Sequence, residues 1–141
     1  MEELQEAKGV QEGKKQNGND IFQIKEKIYE MIMYGNPKLK DFPKTERYVL
    51  ARDIRKTMYT MLEMAVRLEK KYYKKTTLQD LDIEVDVLRN LLRLAKDPDL
   101  YQKQKPCLDF HSWEVWIRKV DEIGRMIGGY MAWVNSREKQ K

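Results

Sequence analysis

Side chains able to perform acid–base or nucleophilic chemistry are few in this 141-residue sequence. Its single histidine, His111, lies four residues after Cys107 and two after Asp109. An imidazole beside a thiol or a carboxylate can form part of a nucleophilic site. Neither the Cys107–His111 pair nor the Asp109–His111 pair has a third group to orient the imidazole. All three residues lie at a predicted junction between a loop and a helix. We interpret them as polar residues at a helix start and keep an enzyme centred on His111 as an alternative hypothesis.

Metal and phosphate sites need residue sets that this sequence lacks. One cysteine and one histidine exclude a disulfide framework and a thiolate zinc site. There is no Glu-x-x-His pair for a di-iron bundle and no glycine-rich phosphate loop. Asp82, Glu84 and Asp86 alternate by two positions, so on a helix they point in different directions. The sequence predicts no catalytic residues, no metal site and no cofactor.

Positive charge is the strongest functional signal in the sequence. Its 28 Lys and Arg residues outnumber 23 Asp and Glu residues, and residues 43–75 contain ten basic residues against four acidic ones. Cations interleaved with aromatic residues such as Tyr59 and Tyr73 can neutralise phosphates and stack bases. The alternative interpretation is a solvated helix surface. The predicted nucleic-acid-binding residues are Arg47, Arg52, Arg55, Lys56, Arg67, Lys70, Lys71, Lys74 and Lys75, joined by Arg118 and Arg125 from the last predicted helix.

Four segments of the chain must position these residues, and all four show the same hydrophobic spacing. Apolar residues alternate at intervals of three and four, which is typical of the buried stripe of a bundled helix. Short connections favour antiparallel neighbours, so we predict an all-α, up-down-up-down antiparallel four-helix bundle. The four stripes run from Ile21 to Met31, from Ala51 to Tyr72, from Leu78 to Ala95 and from Trp113 to Val134.

Turn and capping residues define the predicted boundaries. Residues 1–19 contain too little apolar surface to fold and are predicted to be a flexible tail, which leaves residues 20–138 as one bundle domain. No apolar run suits a membrane span or a signal peptide, so we expect a cytoplasmic protein. The helix signals are Gly35-Asn36-Pro37 ending the first helix, Pro43 in the first turn of the second, Thr77 with Asp80 as a capping box opening the third, Asp97-Pro98 ending it, and Asp109 or Ser112 capping the fourth.

Three of the predicted helices carry apolar residues beyond their buried stripe. A helix with a second apolar line must bury it, either in a broad monomeric core or against another chain. Gly124 and Gly128 share a helix face and would allow a close approach, although a glycine inside a helix costs about 1 kcal/mol relative to alanine. We favour self-association or a protein partner. The predicted interface residues are Ile83, Val87, Leu91, Leu94, Ile117, Gly124, Gly128, Met131 and Trp133.

Three blocks of the sequence resemble one known family. Residues 121–130 read DEIGRMIGGY and resemble the DEIGRMLGGW signature near the end of accessory variability determinant (Avd) proteins of diversity-generating retroelements. Residues 42–54, FPKTERYVLARDI, resemble the start of that family's second helix. Residues 88–95, LRNLLRLA, resemble its third helix. Ile127 and Tyr130 replace Leu and Trp of the signature, and both changes are conservative.

The resemblance implies a four-helix bundle that forms a ring-shaped homopentamer with a basic surface. Such proteins are not enzymes; they associate with the retroelement's reverse transcriptase and bind RNA or DNA. They support mutagenic cDNA synthesis and retrohoming. The wider superfamily includes bundles encoded in ribosomal-RNA intervening sequences. The alternative is therefore an orphan four-helix bundle that recognises only protein and has no role with nucleic acid.

Overall fold

Helices account for nearly all of the chain that the structure describes. The computed structural model describes residues 12–101 and 105–139, with side chains described for 20–101 and 105–137, and these residues contain no strand. The first helix begins inside the segment predicted as a tail, whose residues 1–11 lie outside the described part. The helices are α1 (Glu12–Lys40), the short α2 (Lys44–Arg47), α3 (Leu50–Lys70), α4 (Lys75–Lys96) and α5 (Phe110–Lys139).

The four long helices pack as a four-sided bundle. Helix α1 packs against α3 and α5, and α4 packs against the same two helices. Helices α3 and α5 are therefore diagonal to each other, on opposite sides of the bundle. This arrangement confirms the predicted all-α four-helix bundle. No helix among the described residues is long and apolar enough to cross a membrane.

The predicted stripes form the core of the bundle. Ile24, Met58, Leu88 and Ile123, one from each long helix, are fully buried. Burying such a side chain stabilises the fold by about 1.5–3 kcal/mol. The prediction is wrong for Tyr72, which is 85% exposed. Helix α3 ends at Lys70 and the backbone is extended at the next residue, so Tyr72 no longer lies on the helical stripe.

The predicted end of the first helix at Gly35-Asn36-Pro37 is also wrong, because α1 continues through these residues to Lys40. Pro37 is exposed, whereas Leu39 and Phe42 beyond it are 1% exposed. Burying these two side chains gains about 1.5–3 kcal/mol each, which together matches or exceeds the roughly 3 kcal/mol that a proline costs inside a helix.

Two further boundaries depart from the predictions. The predicted second helix is divided, because the backbone leaves the helical region at Val49 (φ −121°, ψ −87°) between α2 and α3. The third helix does not begin with a capping box at Thr77 and Asp80. It starts at Lys75, and its first turn closes where the Leu78 amide donates to the Lys74 carbonyl at 2.9 Å.

The predicted end of the third helix and the predicted start of the fourth are confirmed. Helix α4 ends at Lys96, and Asp97 takes an extended conformation before Pro98. Asp109 caps α5, since its Oδ2 accepts a hydrogen bond from the Ser112 amide at 3.0 Å. Hydrogen bonds from the Ser112 side chain and from its amide lower the pKa of the Asp109 carboxyl group.

A buried carboxylate ties α2 to the connection that follows α4. Glu46 is only 3% exposed. Its Oε2 accepts a hydrogen bond from the Leu50 amide at 3.3 Å, at the start of α3, and its Oε1 accepts one from the Tyr101 hydroxyl. Glu46 thus satisfies an amide that the helix start leaves without a helical partner.

Replacing Tyr101 by phenylalanine should lower the free energy of unfolding by about 1–2 kcal/mol, because the buried Oε1 of Glu46 loses its donor while keeping its burial. Urea denaturation followed by circular dichroism measures the change. Tyr48→Phe is the matched control, since Tyr48 is 81% exposed and its hydroxyl makes no hydrogen bond to another described residue. Equal stability of the Tyr101→Phe variant and the parent would contradict the proposed tie.

Candidate nucleic-acid interface

One face of α3 presents cations to solvent. Arg52, Lys56 and Tyr59 follow one another at spacings of four and three, so they share a face of the helix. Each of them is exposed, while Ile54 and Met58 on the other side of α3 are fully buried. The core therefore orients the basic face outward.

Some of the eleven predicted cations already bind an acceptor within the chain. Arg67 pairs with Glu63 at 2.9 Å, and Arg118 pairs with Glu114 at 2.8 Å. Arg47 donates through Nε to the carbonyl oxygen of Phe42 at 3.0 Å. The carboxylates partly offset the charges of Arg67 and Arg118, whereas Arg47 is held by an uncharged carbonyl group.

Lys71 and Lys74 close the turn between α3 and α4. The ammonium group of Lys74 donates to the carbonyl oxygens of Leu68, at 2.7 Å, and Lys71. Lys71 in turn donates to the hydroxyl oxygen of Thr77 at 3.0 Å. Burial lowers the pKa of Lys74. Both lysines thus satisfy polar groups near the end of α3, a role that the sequence did not reveal.

Four of the predicted cations are exposed and have neither an ion-pair nor a hydrogen-bond partner within the described ranges: Arg52, Lys56, Lys70 and Arg125. Three of them lie on the same outward face of α3. Arg125 is on α5, which packs against α1 and α4 and lies diagonally across from α3. The structure therefore does not bring Arg118 and Arg125 together with the basic face of α3.

An open cleft lies on the basic face. It has a volume of about 350 Å³ and is lined by Arg52, Arg55, Lys56, Tyr59, Thr60 and Glu63. Asn36 on α1 borders it, because its Nδ2 donates to the Tyr59 hydroxyl at 3.0 Å and its Oδ1 accepts from Arg55 Nε at 3.4 Å. Sequence reasoning missed Asn36 by treating it as a helix terminator. Asn36 bonds to residues about 20 positions away in the chain, so the sequence around it does not indicate this role.

The predicted interface residues divide into exposed and packed groups. Ile83, Val87 and Leu94 form an exposed apolar line on α4, with 58%, 41% and 44% of their surfaces accessible. The other large members, namely Leu91, Ile117, Met131 and Trp133, are partly buried against the core. The apolar line on α4 is therefore the part of the predicted interface that remains open.

The two predicted interface glycines differ in surroundings. A Cβ at Gly124 would lie 2.4 Å from Nη2 of Arg89, whose Nε donates to Asp121 Oδ1 at 2.9 Å. The close approach at Gly124 is thus made by an arginine of the same chain, and it joins α4 to α5. Gly128 is exposed, and a Cβ there would meet nothing within 4 Å.

The residues considered for nucleophilic chemistry lie at the start of α5. His111 is exposed. Burial, with a smaller contribution from the charge of Glu46, raises the pKa of the Cys107 thiol, whereas a nucleophilic cysteine requires a lowered value. Over residues 20–101 and 105–137 there is no cluster of three or more His, Cys, Asp or Glu side chains able to hold a metal ion.

A protein-family model matches most of the described bundle. The family model described as bAvd-like matches residues 22–134, a range that includes α2, α3 and α4 in full and most of α1 and α5. No curated protein and no solved structure shows a significant match to the chain. The match covers the basic face of α3, the exposed line on α4 and the glycines of α5.

Proposed function

The chain belongs to the bAvd-like family, and we propose that it is a non-catalytic accessory protein that oligomerises, binds nucleic acid through α3 and associates with a reverse transcriptase. Family membership supports a role as accessory protein of a diversity-generating retroelement. The proposed task within that element is to support mutagenic cDNA synthesis and retrohoming.

The observation that carries the nucleic-acid role is the position of three cations on one face of α3. Arg52, Lys56 and Lys70 are exposed, and no acidic group in the described part of the chain pairs with them. Cations in this state can replace the counterions of a phosphate backbone. Phosphates carry no sequence information directly, so we expect weak sequence preference.

The observation that supports self-association is the exposed line of Ile83, Val87 and Leu94 on α4. Removing such side chains from water favours association by about 25 cal/mol per Å² of apolar surface, and part of this gain offsets the entropy lost on association. Gly128 on α5 has open space above its backbone and allows a close approach. The homopentamer and the reverse transcriptase as partner follow from the resemblance to the Avd family.

Binding of labelled single-stranded RNA should weaken steeply with salt. If the three cations of α3 each engage a phosphate, log affinity plotted against log salt should have a slope of about −2, because each contact with a single strand contributes about −0.7. Fluorescence anisotropy across a salt series measures this slope. A parallel series with single-stranded DNA of the same length compares the two nucleic acids.

No binding of either nucleic acid at low salt would overturn the nucleic-acid role. The basic face would then be a solvated surface. The exposed line on α4 favours the second candidate function, a four-helix bundle that recognises only protein. That function predicts association through α4 without any affinity for RNA.

A further inference from the structure

We infer that the cleft on α3 holds one nucleotide of a single strand, with its base stacked on the ring of Tyr59 and its phosphates held by Arg52 and Lys56. The inference rests on the proposed nucleic-acid role and adds the kind of nucleic acid that the site takes. The base and the phosphate are common to RNA and DNA, so both are used in the test.

The ring of Tyr59 is accessible and its orientation is fixed. About half of the side chain, 47%, is exposed, while Asn36 on the neighbouring helix donates a hydrogen bond to its hydroxyl at 3.0 Å. A large aromatic ring in water has a free face for stacking, and a fixed hydroxyl reduces the entropy lost when a base binds. Tyr59 is therefore a ready stacking surface, and Asn36 is a positioning residue.

The charges around the ring suit a phosphate backbone. Arg52 and Lys56 are one helical turn apart, and both line the cleft with Tyr59. The acidic residue of the cleft, Glu63, is paired with Arg67 at 2.9 Å, which offsets its repulsion of phosphate. Arg55 is held at the border by Asn36. A phosphate with an attached base could therefore contact Arg52 and Lys56 while the base stacks on Tyr59.

The size of the cleft agrees with a single nucleotide. Its volume of about 350 Å³ is at the lower end of the roughly 300–1,000 Å³ typical of small-molecule sites. Bases in a duplex are stacked and paired inside the helix, where a protein ring cannot reach them without flipping. Duplexes would therefore contact only the cations, and the contribution of Tyr59 should be confined to single strands.

Replacing Tyr59 by alanine should weaken binding of short oligo-U RNA and oligo-dT DNA about tenfold, because stacking of a base on an aromatic ring contributes on the order of that factor. Affinity for a duplex of equal charge should not change. The salt slope should also stay the same, since no cation is removed. Tyr59→Trp should restore single-strand binding, and Asn36→Ala should weaken it to a smaller extent.

Tyr29→Ala is the matched control. Tyr29 lies on α1 with 53% of its side chain exposed and does not line the cleft, so its removal should leave all affinities unchanged. Circular dichroism of each variant verifies that the helices are intact.

The outcomes separate this inference from the proposed function. Unchanged single-strand affinity of Tyr59→Ala, in a parent protein that binds RNA, would overturn the stacking site and leave the nucleic-acid role standing. Equal losses for single strands and duplexes would also overturn it, because stacking is specific to unpaired bases. A parent protein that binds no nucleic acid at all would overturn both.

Discussion

Replacing Arg52, Lys56 and Lys70 together by glutamate will abolish nucleic-acid binding while leaving helicity intact. All three side chains project from the solvent side of α3, and their charges are not offset by an acidic partner among the described residues. Reversal removes three phosphate contacts and places three carboxylates where the phosphates would lie. We expect a loss of at least about 100-fold in affinity at moderate salt, measured by anisotropy.

A control with the same change in net charge distinguishes the loss of cations on α3 from a general effect of charge. Reversing Arg93, Arg118 and Arg125 changes the net charge from +5 to −1, as the first triple variant does. These residues are exposed on α4 and α5, and the two on α5 lie diagonally across the bundle from α3. We expect this control to lose less than about tenfold in affinity, mainly through long-range attraction. Equal losses in both triple variants would place the binding surface elsewhere than on α3.

Replacing Gly35 by valine will destabilise the bundle by about 3 kcal/mol or more, because there is no space for a side chain at this position. A Cβ on Gly35 would lie 2.3 Å from Cζ2 of Trp116. The indole of Trp116 is fully buried, and its Nε1 donates to Sδ of Met31 at 3.2 Å. Its ring also lies edge-to-face with Tyr34, at 6.2 Å between centroids. The indole therefore cannot move aside without breaking contacts on several sides.

The smaller change Gly35→Ala should lower the free energy of unfolding by about 1–2 kcal/mol, since overpacking outweighs the gain in helix propensity of about 1 kcal/mol. Gly129→Ala is the matched control, because Gly129 is exposed in α5 with open space at the Cβ position. This control should raise stability by up to about 1 kcal/mol. Urea denaturation measures all three variants, and a Gly35→Val variant as stable as the parent would show that Trp116 can be displaced.

The periodic stripes explain why most of the fold could be predicted. Each stripe repeats a local relation between residues three or four apart, and burying it dominates the free energy of a bundle. Asp97-Pro98 and Asp109 were also predicted correctly, because they act within their own turn. Gly35, Asn36 and Pro37 were interpreted wrongly, because each carries a local signal for ending a helix that packing overrides.

The candidate site could be predicted only as a set of cations with interleaved aromatic residues. Ten basic residues in one segment are visible in the sequence, but their partners are not. Lys74 serves the end of α3, Arg67 is paired with Glu63, and Arg118 lies on another side of the bundle. The exposed basic face consists of the predicted cations on α3 that make none of these contacts.

By itself, therefore, the sequence determined the helical period, the number of long helices, the concentration of charge in residues 43–75 and the family resemblance. The tertiary structure decided that an indole packs against Gly35, that an arginine packs against Gly124 and that Gly128 stays open. It also decided that Asn36 orients Tyr59. The physical reason is that helix formation depends on neighbours in the chain, whereas close packing and hydrogen bonding between helices depend on residues brought together only by folding.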